Sequence, residues 1–358
     1  MMSILDYRPE IVKHRLGSKS PLCLIGSRPI MQALLDENVM IMACNIRIKH
    51  AVPGILRAAE ELDAVVAFEI AKSEGNLQGG YTGFTPQLFW DTIVAYANRV
   101  NFTKPFFIHG DHVTVKNLSD QEFASSAALI EAELQAGFSS IAIDASFNEL
   151  EDNIRITTQL AQSVSDPHIG LEVEIGEIKL AGQEGRITTM AEAVTFLRTL
   201  KENGIRPDLL AINNGSKHGN YLPGEEIHID LQRTGEIFRA IRPFNVAIAQ
   251  HGITGTPLHL MWQFTEYGIR KGNVGTLWQN LAHEHLPADL MEQMKTWAKE
   301  NNKNVKEAAK PFKDQIDSIS EEYQRRISEH AYREAGEHIR AFRAVGSASL
   351  LKKKLAVN

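Results

Sequence analysis

Eight short apolar runs, each followed by a stretch with helical periodicity, are what most restricts the fold of this chain. They occupy residues 39–45, 64–71, 105–112, 140–146, 170–176, 209–215, 245–252 and 268–276, the last being the least hydrophobic. Apolarity that is continuous rather than alternating means that both faces of a strand are buried. With helices between the strands, this describes a parallel sheet covered on both sides. Eight such units fit a closed α/β barrel, the (β/α)8 TIM barrel; a doubly wound open sheet is the alternative that periodicity leaves standing.

The helix starts support the same division. Thr85-Pro86 and Thr256-Pro257 each offer a capping threonine and a first-turn proline. Ser119-Asp120-Gln121-Glu122 caps a helix that Gly137 ends, and Thr188-Thr189 precedes one that stops at Gly204. Beyond about residue 280 the character changes. Residues 287–344 are highly charged and helical in pattern, with Phe312, Ile316, Ile319, Tyr323 and Ile327 forming one apolar stripe. The division expected is a barrel over residues 1–285 and a helical extension over 286–358, packed on the barrel or on a neighbouring subunit. Lys352-Lys353-Lys354 reads as a solvated tail.

Composition excludes several functions. A net charge of −6 gives nucleic acid no basic surface, and no apolar run approaches the ~20 residues that span a bilayer. The first residues lack the apolar core of a signal peptide. Two cysteines, Cys23 and Cys44, exclude a disulfide framework, so a cytoplasmic location is expected.

In parallel barrels the chemistry sits at the C-terminal ends of the strands. The runs deliver polar groups there: His109-Gly110-Asp111-His112, Asp144-Ala145-Ser146, Glu172-Val173-Glu174, Asn213 to Gly219, His251-Gly252 and Asn273-Val274-Gly275-Thr276. A lone histidine at a strand end is usually a hydrogen-bonded core residue. His112, His218 and His251 together instead match a catalytic zinc site with an open fourth position. Asp144 and Glu174 suit either a second cation, divalent or monovalent, or the orientation of the histidines from behind. Asp111, beside a ligand in sequence, reaches the pocket only if the strand is ending there, and would then act as general acid or base. The turn from His251 to Pro257 leads from a strand into a helix and has the small residues of an anion-binding turn.

These motifs, in this order, resemble the class II fructose-bisphosphate/tagatose-bisphosphate aldolases. Ala43-Cys44-Asn45 is similar to that family's AFN, His109-Gly110-Asp111-His112 to HLDH, and Ile143-Asp144-Ala145-Ser146 to IDGS. Glu172-Val173-Glu174-Ile175-Gly176 is similar to VEGELG, Lys217-His218-Gly219-Asn220-Tyr221 to AHGxY, and His251-Gly252-Ile253-Thr254-Gly255 to HGGSG. The resemblance implies a zinc-dependent lyase acting on a phosphorylated ketose, with dihydroxyacetone phosphate as one product. It implies zinc on His112, His218 and His251, and a second cation position at Asp144 and Glu174. Asp111 would be the acid/base toward the aldehyde-derived oxygen, and Asn45, Gly219, Gly252, Thr254, Asn273 and Thr276 would hold substrate. A loop glutamate that moves the ketone's α-proton would be Glu184, or Glu177 in a shifted register. A homodimer or larger homo-oligomer is implied as well.

The chain also departs from that pattern. The family's strand-eight NxDTD reads Asn273-Val274-Gly275-Thr276-Leu277, the leucine of HLDH is Gly110, and the second glycine of HGGSG is Ile253. An altered substrate pocket around a retained metal set is therefore expected. A non-catalytic family member and a metal-dependent sugar-phosphate isomerase or epimerase are the rival readings. Arg340 and Arg343, in a C-terminal segment similar to the family's ending, are expected to make surface salt bridges rather than to reach a substrate's distal phosphate.

Overall fold

The computed structural model describes residues 3–177, 187–217 and 228–357. All eight runs are strands: β1 (Ile41–Asn45), β2 (Val66–Ala71), β3 (Phe106–Thr114), β4 (Ser140–Asp144), β5 (Gly170–Ile175), β6 (Leu209–Ile212), β7 (Ala247–Gln250) and β8 (Ile269–Val274). They pair in sequence order, all parallel, and β8 returns to β1 through the register Ile41↔Lys271 to Cys44↔Val274. The sheet is thus a closed barrel and not an open one. Every strand residue is buried except His112 and Thr114, which are half-buried at the upper end of β3. That is the physical content of the unbroken apolar runs: the barrel fills one face of each strand and the helices cover the other.

Three of the four expected helix starts hold. Thr85 accepts the Leu88 N–H and opens Pro86–Arg99; Ser119 accepts the Glu122 N–H and opens Asp120–Ala136, which Gly137 ends at φ +94°. Thr189 and Glu192 form a reciprocal capping box at the start of Met190–Glu202. Thr256 is the exception. Pro257 is itself extended (ψ 138°), so the helix begins one residue later, as Leu258–Phe264, with no side-chain cap. Thr256 instead closes a turn by donating its N–H to the Ile253 carbonyl at 2.9 Å.

After β8 the chain continues as Thr276–His285, Ala288–Glu300, Val305–Ala309, Lys313–Asp317, Glu321–Ala341 and Ser347–Val357. The apolar stripe is therefore split. Ile316 ends in one helix, Ile319 lies in the turn, and Ser320, extended at ψ 155°, starts the next helix with Tyr323 and Ile327. All five apolar residues join the same core as the barrel. The long helix lies against Val52–Glu61 at backbone distance: a Cβ at Gly54 would stand 2.0 Å from the Ser328 carbonyl oxygen, so only glycine fits. The lysine run is not a tail. It forms the outer face of Ser347–Val357, whose Leu351 and Leu355 are buried and whose Lys354 pairs with Glu37. Among the described residues no helix is long and apolar enough to cross a membrane.

Candidate active site

The site is built around an irregularity in β3. The strand pairs with β4 in one register up to Gly110 and in another from Val113, which is a bulge. His112 takes the left-handed conformation, φ +42°, an uncommon state for a residue with a side chain. This corrects the expected reason for Asp111's position. The strand does not end there but runs on to Thr114, and the bulge turns both Asp111 and His112 into one cavity of roughly 400 Å³ at the C-terminal ends of the strands.

Gly110, where the family has leucine, also has a physical reason. A Cβ there would stand 2.1 Å from the Glu133 carboxylate oxygen. Glu133 comes from Asp120–Ala136, is fully buried and has no hydrogen-bond partner among the described residues. Burial, and secondarily the charge of Asp111, hold its pKa well above the ordinary carboxylate value. A folded-state pKa above the unfolded one means stability that is complete below the unfolded pKa of about 4.3 and is lost as pH rises toward the folded pKa. Glu133→Gln removes that titration. The variant's stability relative to wild type, and its relative Tm with it, should therefore rise as pH climbs above about 4.3, by up to ~1.4 kcal/mol per pH unit. A difference that is flat with pH in thermal melts would show that the Glu133 carboxyl is not raised in the folded protein.

His251, just beyond β7, presents Nδ1 at 2.7 Å from His112 Nε2. The other face of His112 meets carboxylates: Nδ1 lies 2.8 Å from Glu174 Oε1 and 3.2 Å from Asp144 Oδ2. Burial opposes charging His112, but Glu174, Asp111 and Asp144 outweigh it and raise its pKa well above the ordinary value. The carboxylates divide. Glu174 is pushed up to about 8 by burial and by Asp144, whereas Asp144 is held low, its burial offset by His112 and by the hydroxyl and N–H of Ser146. Glu174 Oε1 is buried and, despite its closeness to His112, in no hydrogen-bond geometry. The pocket thus concentrates negative charge and nitrogen donors about one point. His112 with Asp144 and Glu174, and His112 with Asp111 and His251, each bring ligand atoms within 4.8 Å of one another. This donor set suits a divalent cation of the zinc type.

Asp111 is buried and clamped. Its Oδ2 accepts from Asn45 Nδ2 at 2.8 Å and its Oδ1 from Asn273 Nδ2 at 3.0 Å. Burial works against its ionisation, yet His112, His251, Lys271 and the Asn45 bond together hold the carboxyl well below the usual range. Below it lies a layer of buried charge, of which only Glu172 is among the strand-end groups expected from the sequence. Lys271 of β8 is fully buried between Glu172 at 2.9 Å and Glu69 at 3.1 Å, and Glu172 also accepts from His251 Nε2 at 2.9 Å. The signal was available: strand alternation puts Lys271 on the same inward face as Asn273.

On the opposite wall, Gly252 (φ +70°) passes so close to the Lys217 carbonyl that a Cβ would lie 2.4 Å from its oxygen. Thr254 Oγ1 accepts the Leu277 N–H at 3.3 Å, and Thr276 begins a helix whose cap, Gly275, offers no side chain. Gly252, Thr254, Asn273 and Thr276 all line the cavity. Where the family carries its first strand-eight aspartate, a Cβ on Gly275 would stand 3.1 Å from Arg47 Nη2. Arg47, held by Glu74 at 2.7 Å and by Gln279 at 2.9 Å, occupies that wall instead. Lys306, from the extension, lines the same cavity with Tyr81 and Lys116, and no local sequence signal marks it. Glu177 is at the rim. His218, Gly219 and Glu184 lie outside the described residues. Arg343 pairs with Glu266 at 2.6 Å, next to the entry of β8 and thus at the far end of the barrel.

Known proteins align with this arrangement. The family model described as class-II fructose-bisphosphate aldolase matches residues 27–333. A fructose-bisphosphate aldolase of Geobacillus stearothermophilus is 25% identical over 260 residues, covering 71% of this chain and 82% of its own length. A 6-phospho-5-dehydro-2-deoxy-D-gluconate aldolase of Bacillus licheniformis is 24% identical over 258 residues, covering 71% and 80%. Among solved structures, the YdjI aldolase of Escherichia coli K12 superposes with a TM-score of 0.65 at 20% identity, over 91% of this chain and 99% of that one. With most of its length matched by that family model, the chain belongs to the class-II fructose-bisphosphate aldolase family, and so to the aldolase lyases.

Proposed function

We propose that this aldolase cleaves and forms a carbon–carbon bond in a phosphorylated ketose, with dihydroxyacetone phosphate as the ketone fragment, and that it depends on zinc. The observation that carries the reading is the clamped Asp111 carboxylate beside the paired His112 and His251. His112 and His251, with His218 as the family resemblance implies, would hold the zinc, and Asp144 and Glu174 would serve a second cation position. When bound, zinc supplies a Lewis acid for the negative charge that develops on the ketone oxygen.

The residues do the rest. In the cleavage direction Asp111 accepts the proton of the hydroxyl on the carbon that becomes the aldehyde, and in condensation it returns it. Its two asparagine donors fix both oxygens, so the carboxylate is aimed without rearrangement. The helix start at Thr276 and the turn through Gly252 and Thr254 bind the phosphate of the ketone half. A glutamate of the loop after β5, Glu184 or Glu177, exchanges the α-proton. The wall that Arg47 occupies in place of an aspartate supports a substrate other than fructose 1,6-bisphosphate.

Purified protein should carry zinc, lose it from this site in His251→Ala, and release dihydroxyacetone phosphate from at least one member of a panel of phosphorylated ketoses. Metal with a rearranged single sugar as product would favour an isomerase. Wild-type protein that binds no metal here would overturn the mechanism.

A further inference from the structure

Imidazole nitrogens come within 3.0 Å of each other at two places among the described residues. One is His112 with His251 in the pocket. The other lies on the outside of the molecule, where the last turn of Thr276–His285 meets the middle of Glu321–Ala341. There His285 Nε2 stands 3.0 Å from His330 Nδ1, and Glu284 Oε2 stands 3.7 Å from the same His330 nitrogen. One ligand atom from each of the three residues lies within 4.8 Å of the others.

We propose that Glu284, His285 and His330 form a second, peripheral zinc-type metal site that joins the barrel to its helical extension. Tetrahedral zinc with bonds of ~2.0–2.1 Å places neighbouring ligand atoms roughly 3.3 Å apart, between the two distances found here. A simple N–H···N bond between the histidines would account for their closeness. It would not account for the carboxylate converging on the same nitrogen at a distance too long for a hydrogen bond. The opposite side of His330 is arranged as for a ligand: its Nε2 faces Glu334 Oε1, one helical turn on, at 3.7 Å. A ligating histidine ordinarily turns its other nitrogen to a carboxylate or carbonyl. The two carboxylates set negative charge against Arg326 and Arg333, whose charges both act on His285; Arg326 is itself held by Glu322 at 2.5 Å. The histidines are half-buried and Glu284 is exposed, leaving a fourth position to water. Such a site, none of whose three residues lines the cavity at the strand ends, suits a structural or regulatory ion.

The consequence is mechanical. Glu284 and His285 are the last two residues of Thr276–His285, the helix that follows β8, and His330 belongs to the helix that packs on Val52–Glu61. A bound ion would cross-link the two and favour the docked extension.

The test uses full-length protein stripped with a chelator and titrated with zinc chloride, read by calorimetry and by metal analysis after desalting. Two sites per chain of micromolar affinity or better are expected. His285→Ala and His330→Ala should each remove one and leave aldolase turnover unchanged, while His251→Ala removes the other. Zinc should still raise the Tm of His251→Ala, by ~3 °C, and should fail to do so in His251→Ala/His330→Ala. Unchanged stoichiometry and affinity in both His285→Ala and His330→Ala would overturn the proposal, as would outer binding seen only in millimolar zinc. Loss of the pocket site alone would fault the catalytic reading and leave this one standing.

Discussion

Asp111→Ala should lower kcat about 10²–10⁴-fold, the span that a positioned general acid or base contributes, with zinc content unchanged and KM altered far less. The split matters because it separates proton transfer from the metal-ligand role that the closeness of Asp111 to His112 and His251 would equally allow. Both its oxygens are taken by amide donors, from Asn45 at 2.8 Å and Asn273 at 3.0 Å. Removing the carboxylate leaves the two amides to water within the cavity, so the fold should survive and the proton transfer should not. Asp111→Asn is the sharper variant. It keeps the volume but places an amide group against the amide donors of Asn45 and Asn273, and it has no basicity, so it should be at least as inactive as alanine. The metal content of both variants guards against a trivial loss of the neighbouring His112 and His251. Turnover within tenfold of wild type in either, with metal retained, would remove Asp111 from the reaction.

Much of this was legible in the sequence for a definite reason. The barrel follows from burial on both faces of each strand, and burial writes itself as unbroken apolar runs; all eight became strands. The grouping of Asp111, His112, Asp144, Glu174 and His251 about one cavity was legible because barrels gather strand ends at one rim. What was not legible depends on backbone detail or on distant chain. The left-handed His112 and the bulge in β3 decide that consecutive residues share a cavity, and no pattern of period two announces them. Gly110 looked like an unexplained departure until Glu133, contributed by a different element, was found filling its place. Arg47 standing where Gly275 leaves room is the same kind of exchange. Lys306 reaches the cavity from beyond β8, past the helices Thr276–His285 and Ala288–Glu300, so only the tertiary fold could supply it. The split of the Phe312–Ile327 stripe at Ser320 is a smaller case: residue spacing alone cannot tell one long helix from two that share a buried face.

The second large effect expected is structural. Lys271→Met should destabilise the protein by ~3–5 kcal/mol, the usual consequence of removing one partner of a buried ion pair. For a chain of this length that corresponds to a fall in Tm of about 5 °C. Lys271, Glu69 and Glu172 are all fully buried. Burial, reinforced by the charges of Asp111 and Glu172, holds Glu69 well above the ordinary carboxylate range, and Lys271 is the leading influence against it. Without the ammonium, the Glu172 carboxylate that lies 2.9 Å away has no cation in the barrel floor. The cost should therefore fall on the surviving charge rather than on the methionine, which fills the lysine's volume well. That distinction is testable in a cycle: Lys271→Met/Glu172→Gln should recover part of the loss, because two neutral groups replace an unpaired ion. Glu172 also accepts from His251 Nε2 at 2.9 Å, which leaves His251 Nδ1 turned toward His112. Lys271→Met should consequently weaken zinc binding as well, by about 10–100-fold, as loss of an outer partner of a metal-binding histidine does. If the double variant were as unstable as the sum of the singles, the lysine would be acting through packing, and the barrel floor would be a filled volume rather than a charge network that aims the site above it.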